Sequence, residues 1–142
     1  MPSHRTLTII KPDAVARGLA GKIIAHLEQA GFRIAAARVV HLSVEEAEAF
    51  YAIHRERPFF ASLVAFMTSG PSMPMVLVRA DAVATLRRVI GATDPHEAEA
   101  GTVRKLYAES KERNAIHASD SDENAAREEG FFFSETDLLH GR

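Results

Sequence analysis

The sequence predicts an α+β sandwich of the split βαβ kind, on three observations. Four short β-rich or apolar runs are separated by helical patterns; their order is β-α-β-α-α-β-α-loop-α-β; and one long segment, 91–114, carries only fragments of helical pattern. Connections longer than about 12–15 residues are uncommon and usually functional or disordered, so that segment marks a candidate site.

The elements follow in order. "RTLTIIK" (5–11) is a strand that stops at Lys11-Pro12, because proline removes a donor, and Asp13 is placed to cap a short turn. Residues 19–30 form a helix with Ile23, Ile24, Leu27 and Ala30 on one face and Gly31 at the end. In 32–42, Phe32, Ile34, Ala36, Val40 and Leu42 alternate as in a strand, with Arg38 the one break. Ser43 and Glu46 are spaced as a capping box, opening a helix through Ala47, Phe50 and Tyr51. Pro58 interrupts that pattern, and 59–67 resumes it before Thr68-Ser69-Gly70-Pro71. "MVLVR" (75–79) is a short strand; Asp81 caps a helix over 82–90, ended by Gly91. The last helix covers 121–129, closed by Gly130, and "FFF" (131–133) reads as the final strand.

Composition narrows the function. The 142-residue chain is long enough for one domain with a real core, and its 46% hydrophobic and 25% charged residues are ordinary for a globular protein. A formal net charge of −2 leaves no general footprint for nucleic acid or an anionic membrane. The chain has no cysteine, which excludes disulfides, thiolate metal sites and cysteine nucleophiles. The N-terminal apolar run stops at Lys11, too early for a signal peptide, and no run approaches the ~18 apolar residues of a membrane span. A cytoplasmic location is the expectation.

The chemistry gathers around "NAIHASDS" (114–121). A helix starting near Asp120 or Ser121 offers unpaired N–H groups and a positive dipole end, a ready anion site, and His117 stands just upstream. Asp120 with Glu123 also fits simple capping. Lys11 at a strand end, Arg87 in a last helical turn and Arg104 in the long segment supply cations suited to phosphate. "GLAGKI" (18–23) lacks the spacing and the Ser/Thr of a Walker loop, and no G-x-G-x-x-G occurs. His54 and His117 have no ligand-type spacing for a metal.

Taken together, "TLTIIKPDAV" (6–15), "FYAIHRERPFF" (50–60), "SGP" (69–71), "GATDP" (91–95), "GTVR" (101–104) and "NAIHASDS" (114–121) resemble the nucleoside diphosphate kinase family, in order, from about Arg5 to Phe133. The resemblance implies a single domain over 1–142 on a ferredoxin-like sandwich with a four-stranded antiparallel sheet. It implies transfer of the γ-phosphoryl group of a nucleoside triphosphate, typically ATP, to a nucleoside diphosphate, with Mg²⁺, by a ping-pong route through a phosphohistidine. His117 matches the nucleophile, acting through Nδ1; Glu128 the carboxylate on the other ring nitrogen; Ser119 the support of that pair; and Tyr51 the tyrosine beside it. Lys11, His54, Arg87, Thr93 and Arg104 match phosphate ligands, Asn114 and Lys11 the groups on the sugar hydroxyls, and Phe59 the aromatic under the base. Stacking tolerates any base, so broad specificity is expected. Mg²⁺ is expected on the nucleotide's own phosphates rather than on protein ligands, and a homo-oligomer, tetramer or hexamer, is implied, whose choice the tail "SETDLLHGR" helps set.

The chain departs from the family pattern at three positions. Ala118 stands where glycine is most frequent, and its Cβ is harmless if φ is negative. Lys111 takes the place of an apolar partner to Phe59 across the base, where its methylene stem can cover the ring. Leu106 replaces an acidic residue. By spacing alone Phe59 and Tyr51 read as core residues and Glu128 as an exposed helical carboxylate; the resemblance reassigns all three. Of two rival classes, a nucleotide-binding regulator without transfer is disfavoured by the intact set Lys11, Arg87, Arg104, His117 and Glu128, and a phosphohistidine carrier for a protein partner by the lack of any docking surface suggested in the sequence.

Overall fold

The computed structural model describes residues 4–139. Its frame is a four-stranded sheet, β1 (Arg5–Ile10), β2 (Arg33–Ala37), β3 (Met73–Val78) and β4 (Ile116–Ala118), in the order β2-β3-β1-β4 with every pairing antiparallel. This is the expected ferredoxin-like sandwich. Helices cover both faces. On one, α2 (Ala20–Gln29) and α5 (Ala82–Ile90) send Ile23, Leu27, Leu86 and Ile90 against Ile10, Met75, Leu77 and Ile116 of the sheet. On the other, α3 (Val44–Phe50), α4 (Phe60–Met67) and α7 (Asp122–Phe132) bring Phe50, Met67 and Phe132 onto Leu7, Ile9 and Val76. The central strands are buried on both sides, as a two-layer core requires.

Local signals explain most element ends. Ser43 caps α3 through the reciprocal box: Glu46 N–H donates to Ser43 Oγ at 3.1 Å and Ser43 N–H to Glu46 Oε1 at 2.8 Å. Ser121 caps α7, its Oγ accepting from Asn124 N–H, while Asp120 takes the Asn124 side-chain amide. Two expected caps are absent. Asp81 precedes α5 with φ +51° but its side chain makes no capping bond, and Asp13 lies inside the first turn of α1 (Pro12–Ala16), whose N-cap is Lys11.

The expected strand at 131–133 is a correction. α7 runs on through Gly130 to Phe132, and the fourth strand is the three-residue segment around His117. A glycine inside a helix costs only about 1 kcal/mol, less than the burial of Phe132 and Phe133 against the sheet recovers. The strand over 32–42 is also shorter than its pattern: a bulge falls between Ile34 and Ala36, and beyond Ala37 only Val40 pairs, in an isolated bridge to Ser72. The long segment 91–114 holds one short helix, α6 (Val103–Tyr107), capped by Thr102. A last helix, α8 (Glu135–Leu139), follows α7. The final residues of the C-terminal tail, 140–142, lie outside the described residues.

Gly91 folds the long segment back. Its φ is +89°, and a Cβ there would meet Thr102 Oγ1 at 2.6 Å. Gly91→Ala is expected to destabilise the fold by about 2–5 kcal/mol, from backbone strain and overpacking together. Gly101 has φ +85° with open space around it, so Gly101→Ala isolates the strain alone. Denaturant titration of the two variants should show the Gly91 change to be the larger; equal losses would mean that Thr102 gives way freely.

Candidate active site

The site is built where β4 meets the end of β1. Register places Ile9 opposite His117 and Ile10 opposite Ile116. Side chains alternate along a strand, so Ile116 and Ala118 enter the α2/α5 core while His117 faces α3 and α7. There Phe50 sits edge-on to the imidazole at 5.5 Å between ring centroids, and Tyr51 at 6.1 Å. Ala118 is not among the residues with positive φ, so its Cβ is accommodated without strain.

Glu128 rises from α7 beneath the ring. Nε2 of His117 lies 2.7 Å from Glu128 Oε1, and Ser119 Oγ donates to the same oxygen at 2.7 Å. Glu128 is only 6% exposed, so it is a buried carboxylate held by two donors rather than a solvated helical one. With Nε2–H donating to that carboxylate, Nδ1 carries the free lone pair. Burial, with the Glu128 charge beside it, pushes the Tyr51 phenol far above its usual range. Its hydroxyl therefore stays protonated, and it is buried without a hydrogen-bond partner among the described residues.

The end of β1, α5 and α6 carry a group of cations. Lys11 is buried and donates from Nζ to Asn114 Oδ1 at 2.9 Å. Arg104, on α6, donates from Nη1 to the Gly91 carbonyl at 3.1 Å and from Nη2 to the Ile116 carbonyl at 2.7 Å, while its Nε is buried without a partner among the described residues. Arg87, from the last turn of α5, joins Arg104 and Thr93 in lining one cavity of about 470 Å³, and Asn114 Nδ2 reaches the Thr93 carbonyl at 3.5 Å. None of the three cations makes an ion pair among the described residues. Burial, then the charge of Arg104, lowers Lys11 to about 8, with Asp13 opposing; burial, then Arg87, lowers Arg104 to about 10. Neighbouring like charges with no ion-paired carboxylate among the described residues suit an incoming anion.

Of the residues expected from sequence, Lys11, Arg87, Thr93, Arg104, Asn114, His117, Ser119, Glu128 and Tyr51 are linked by these contacts. His54 and Phe59 extend the site: the His54 ring stacks near Tyr51 at 6.4 Å and lies 5.4 Å from Phe59, whose ring is half exposed rather than a core residue. Lys111 is exposed, and its charge contributes, after the hydrogen bonds from His96, to lowering Asp94. Leu106 is exposed as well. Sequence reasoning missed Phe50, read as core; Arg127, which donates to the Phe50 and Ala49 carbonyls at the end of α3; and Asp13. Only Asp13 had a local signal, its place two residues after Lys11.

The lowered Lys11 predicts a pH effect. The ammonium is present below about 8 and is lost as pH rises through that value, whereas a bound polyanion draws the proton back. Pyrophosphate should therefore bind most tightly below that pH, weaken above it, and bring proton uptake near it. Calorimetry in buffers of different ionisation enthalpy should find this component in the wild type and not in Lys11→Met; identical proton uptake in both would assign the titration elsewhere.

A family model described as nucleoside diphosphate kinase matches residues 4–138. A nucleoside diphosphate kinase of Chlorobium chlorochromatii is 58% identical over 136 residues, covering 96% of this chain and 97% of the relative. One of Acidiphilium cryptum is 52% identical over 139 residues, covering 98% and 99%. The crystal structure of the Aquifex aeolicus nucleoside diphosphate kinase superposes with a TM-score of 0.92 at 45% identity, over 94% of this chain and 97% of that one. Likeness of this extent, in sequence and in three dimensions, leaves one assignment: the chain is a phosphotransferase that belongs to the nucleoside diphosphate kinase family.

Proposed function

We propose that the chain moves the γ-phosphoryl group of a nucleoside triphosphate, typically ATP, to a nucleoside diphosphate of any base, by a ping-pong route through phosphohistidine at His117. The observation that carries this reading is the His117–Glu128–Ser119 relay, which leaves Nδ1 with its lone pair facing away from the carboxylate. In the first half-reaction Nδ1 attacks the γ-phosphorus, and the bond to the bridging β–γ oxygen breaks, releasing the diphosphate. In the second, a terminal oxygen of another diphosphate attacks the same phosphorus and the P–N bond breaks, returning the pair to Nδ1. Glu128 holds Nε2–H throughout, so the positive charge that the ring acquires on phosphorylation lies against a buried carboxylate.

Positioning and charge neutralisation supply most of the rate in phosphoryl transfer. Lys11, Arg87 and Arg104, with Thr93 and His54, take the phosphate oxygens; Tyr51 offers its unpartnered hydroxyl to the phosphoryl group on His117; Asn114 and Lys11 hold the sugar; Phe59 carries the base. This donor set is cationic or neutral, which suits an Mg²⁺ held by the nucleotide's own phosphates, where it would offset their charge. Among the described residues no helix is long and apolar enough to cross a membrane. We infer a cytoplasmic enzyme that assembles as a homo-oligomer, a tetramer or hexamer.

Brief exposure to ATP and Mg²⁺ without acceptor should add one acid-labile phosphoryl group to the wild type, seen as intact mass, and added diphosphate should remove it. His117→Ala should never gain it. A wild type that binds ATP and stays unmodified would end this reading. Arg104→Ala should lower kcat by about 10²-fold, as for a lost transition-state donor; unchanged turnover would remove Arg104 from the mechanism.

A further inference from the structure

We propose that Asp13 is a positioning residue, whose buried carboxylate holds a strained turn at Ala115 and thereby keeps Lys11 and Asn114 set for the nucleotide's sugar. The inference rests on the sugar-binding role proposed above for those two residues. Asp13 sits in α1 and is only 5% exposed.

The strain is in the backbone. Ala115 has φ +73°, a left-handed value that a Cβ disfavours, and Ile116 N–H donates to the Asn114 carbonyl at 2.9 Å, closing a three-residue turn around it. Three-residue turns with positive φ are the rare, strained form. Such a conformation persists only where its surroundings over-determine it. Here the corner between β1 and α1 grips both polar groups of Ala115. Its N–H donates to Asp13 Oδ2 at 3.1 Å, and its carbonyl accepts from Lys11 N–H at 2.9 Å.

The grip has a directional consequence. Asn114 precedes the turn and meets Lys11 Nζ through its side chain. Ile116 and His117 follow it, and the Ile116 carbonyl is taken by Arg104. Without the Asp13 acceptor, the Ala115 N–H would be buried and unpaired, since Ala115 is fully inaccessible. The turn then gains by relaxing toward negative φ, which carries the Asn114 side chain away from Lys11. His117 is held independently, by β4 pairing and by Glu128. Loss of Asp13 should therefore fall on the sugar subsite before the imidazole.

The test pairs Asp13→Ala with substrates that do or do not offer a sugar hydroxyl. With a ribonucleoside diphosphate acceptor, kcat/KM should fall about tenfold, the usual scale for a buried donor left unpaired. With the 2′,3′-dideoxy acceptor it should fall by less than about twofold, because the two changes act on one interaction. Ala115→Gly removes the strain, so Asp13→Ala in that background should stay within about threefold of Ala115→Gly alone. Asp13→Asn keeps the shape and an acceptor oxygen and should stay within about threefold of the wild type, and it serves if the alanine variant does not fold. Equal losses with both acceptors, no rescue by glycine, or full loss in Asp13→Asn would each overturn the inference. The same comparison made on calorimetric Kd values needs no turnover, so a protein that proved unable to transfer phosphoryl groups would defeat the proposed activity while Asp13 was still judged.

Discussion

Everything at the site depends on the pairing of β4 with β1. Three residues, Ile116 to Ala118, are laid along Thr8 to Ile10, and this register alone decides which way the imidazole faces. A slip by one residue would turn His117 into the apolar layer beneath α2 and α5 and bring Ile116 out beside Phe50. So short a strand has little pairing energy of its own. It is held from outside by Thr8 Oγ1 on the His117 carbonyl, Arg104 on the Ile116 carbonyl, and Ser119 N–H on the Leu7 carbonyl. A residue proposed to take phosphate thus also fastens the backbone that carries the proposed nucleophile.

The site buries charge of both signs. Glu128 and Ser119 lie on the Nε2 side and hold one negative charge away from solvent. Lys11 and Arg104 are buried without an ion-paired carboxylate among the described residues, and both are depressed from their ordinary values, chiefly by burial. Keeping cations in that state costs stability, because neutral acceptors, Asn114 for Lys11 and the Gly91 and Ile116 carbonyls for Arg104, replace only part of the hydration that burial removes. The sheet and its two apolar layers offset that cost. A polyanion entering the site supplies the missing counter-charge, which makes binding electrostatically favourable before any specific contact is counted.

Much of the fold was legible in the chain. The capping box at Ser43 and Glu46, the helix over 82–90 and the end of β1 before Pro12 arise from interactions within a few residues, and those appear in sequence as written. The failures have a common origin. The run 131–133 has the composition of a strand, yet those phenylalanines are placed by α7 packing on Leu7 and Ile9, and Gly130 gives way to that packing. β4 is too short to show a period. Asp13 looked like a local cap because its real partner, Ala115, lies far along the chain.

The sequence by itself determined the family, the types of residue available for phosphoryl transfer, and the helix starts, since motif spacing and capping are properties of neighbouring residues. Tertiary structure decided which side of the sheet His117 faces, that Glu128 is buried against it, and that Lys11 meets Asn114. Those contacts span up to 109 residues, and the charge states at the site follow from the burial they create. Chemistry was written in the residue types; the low-dielectric setting that makes it work exists only once distant segments close over it.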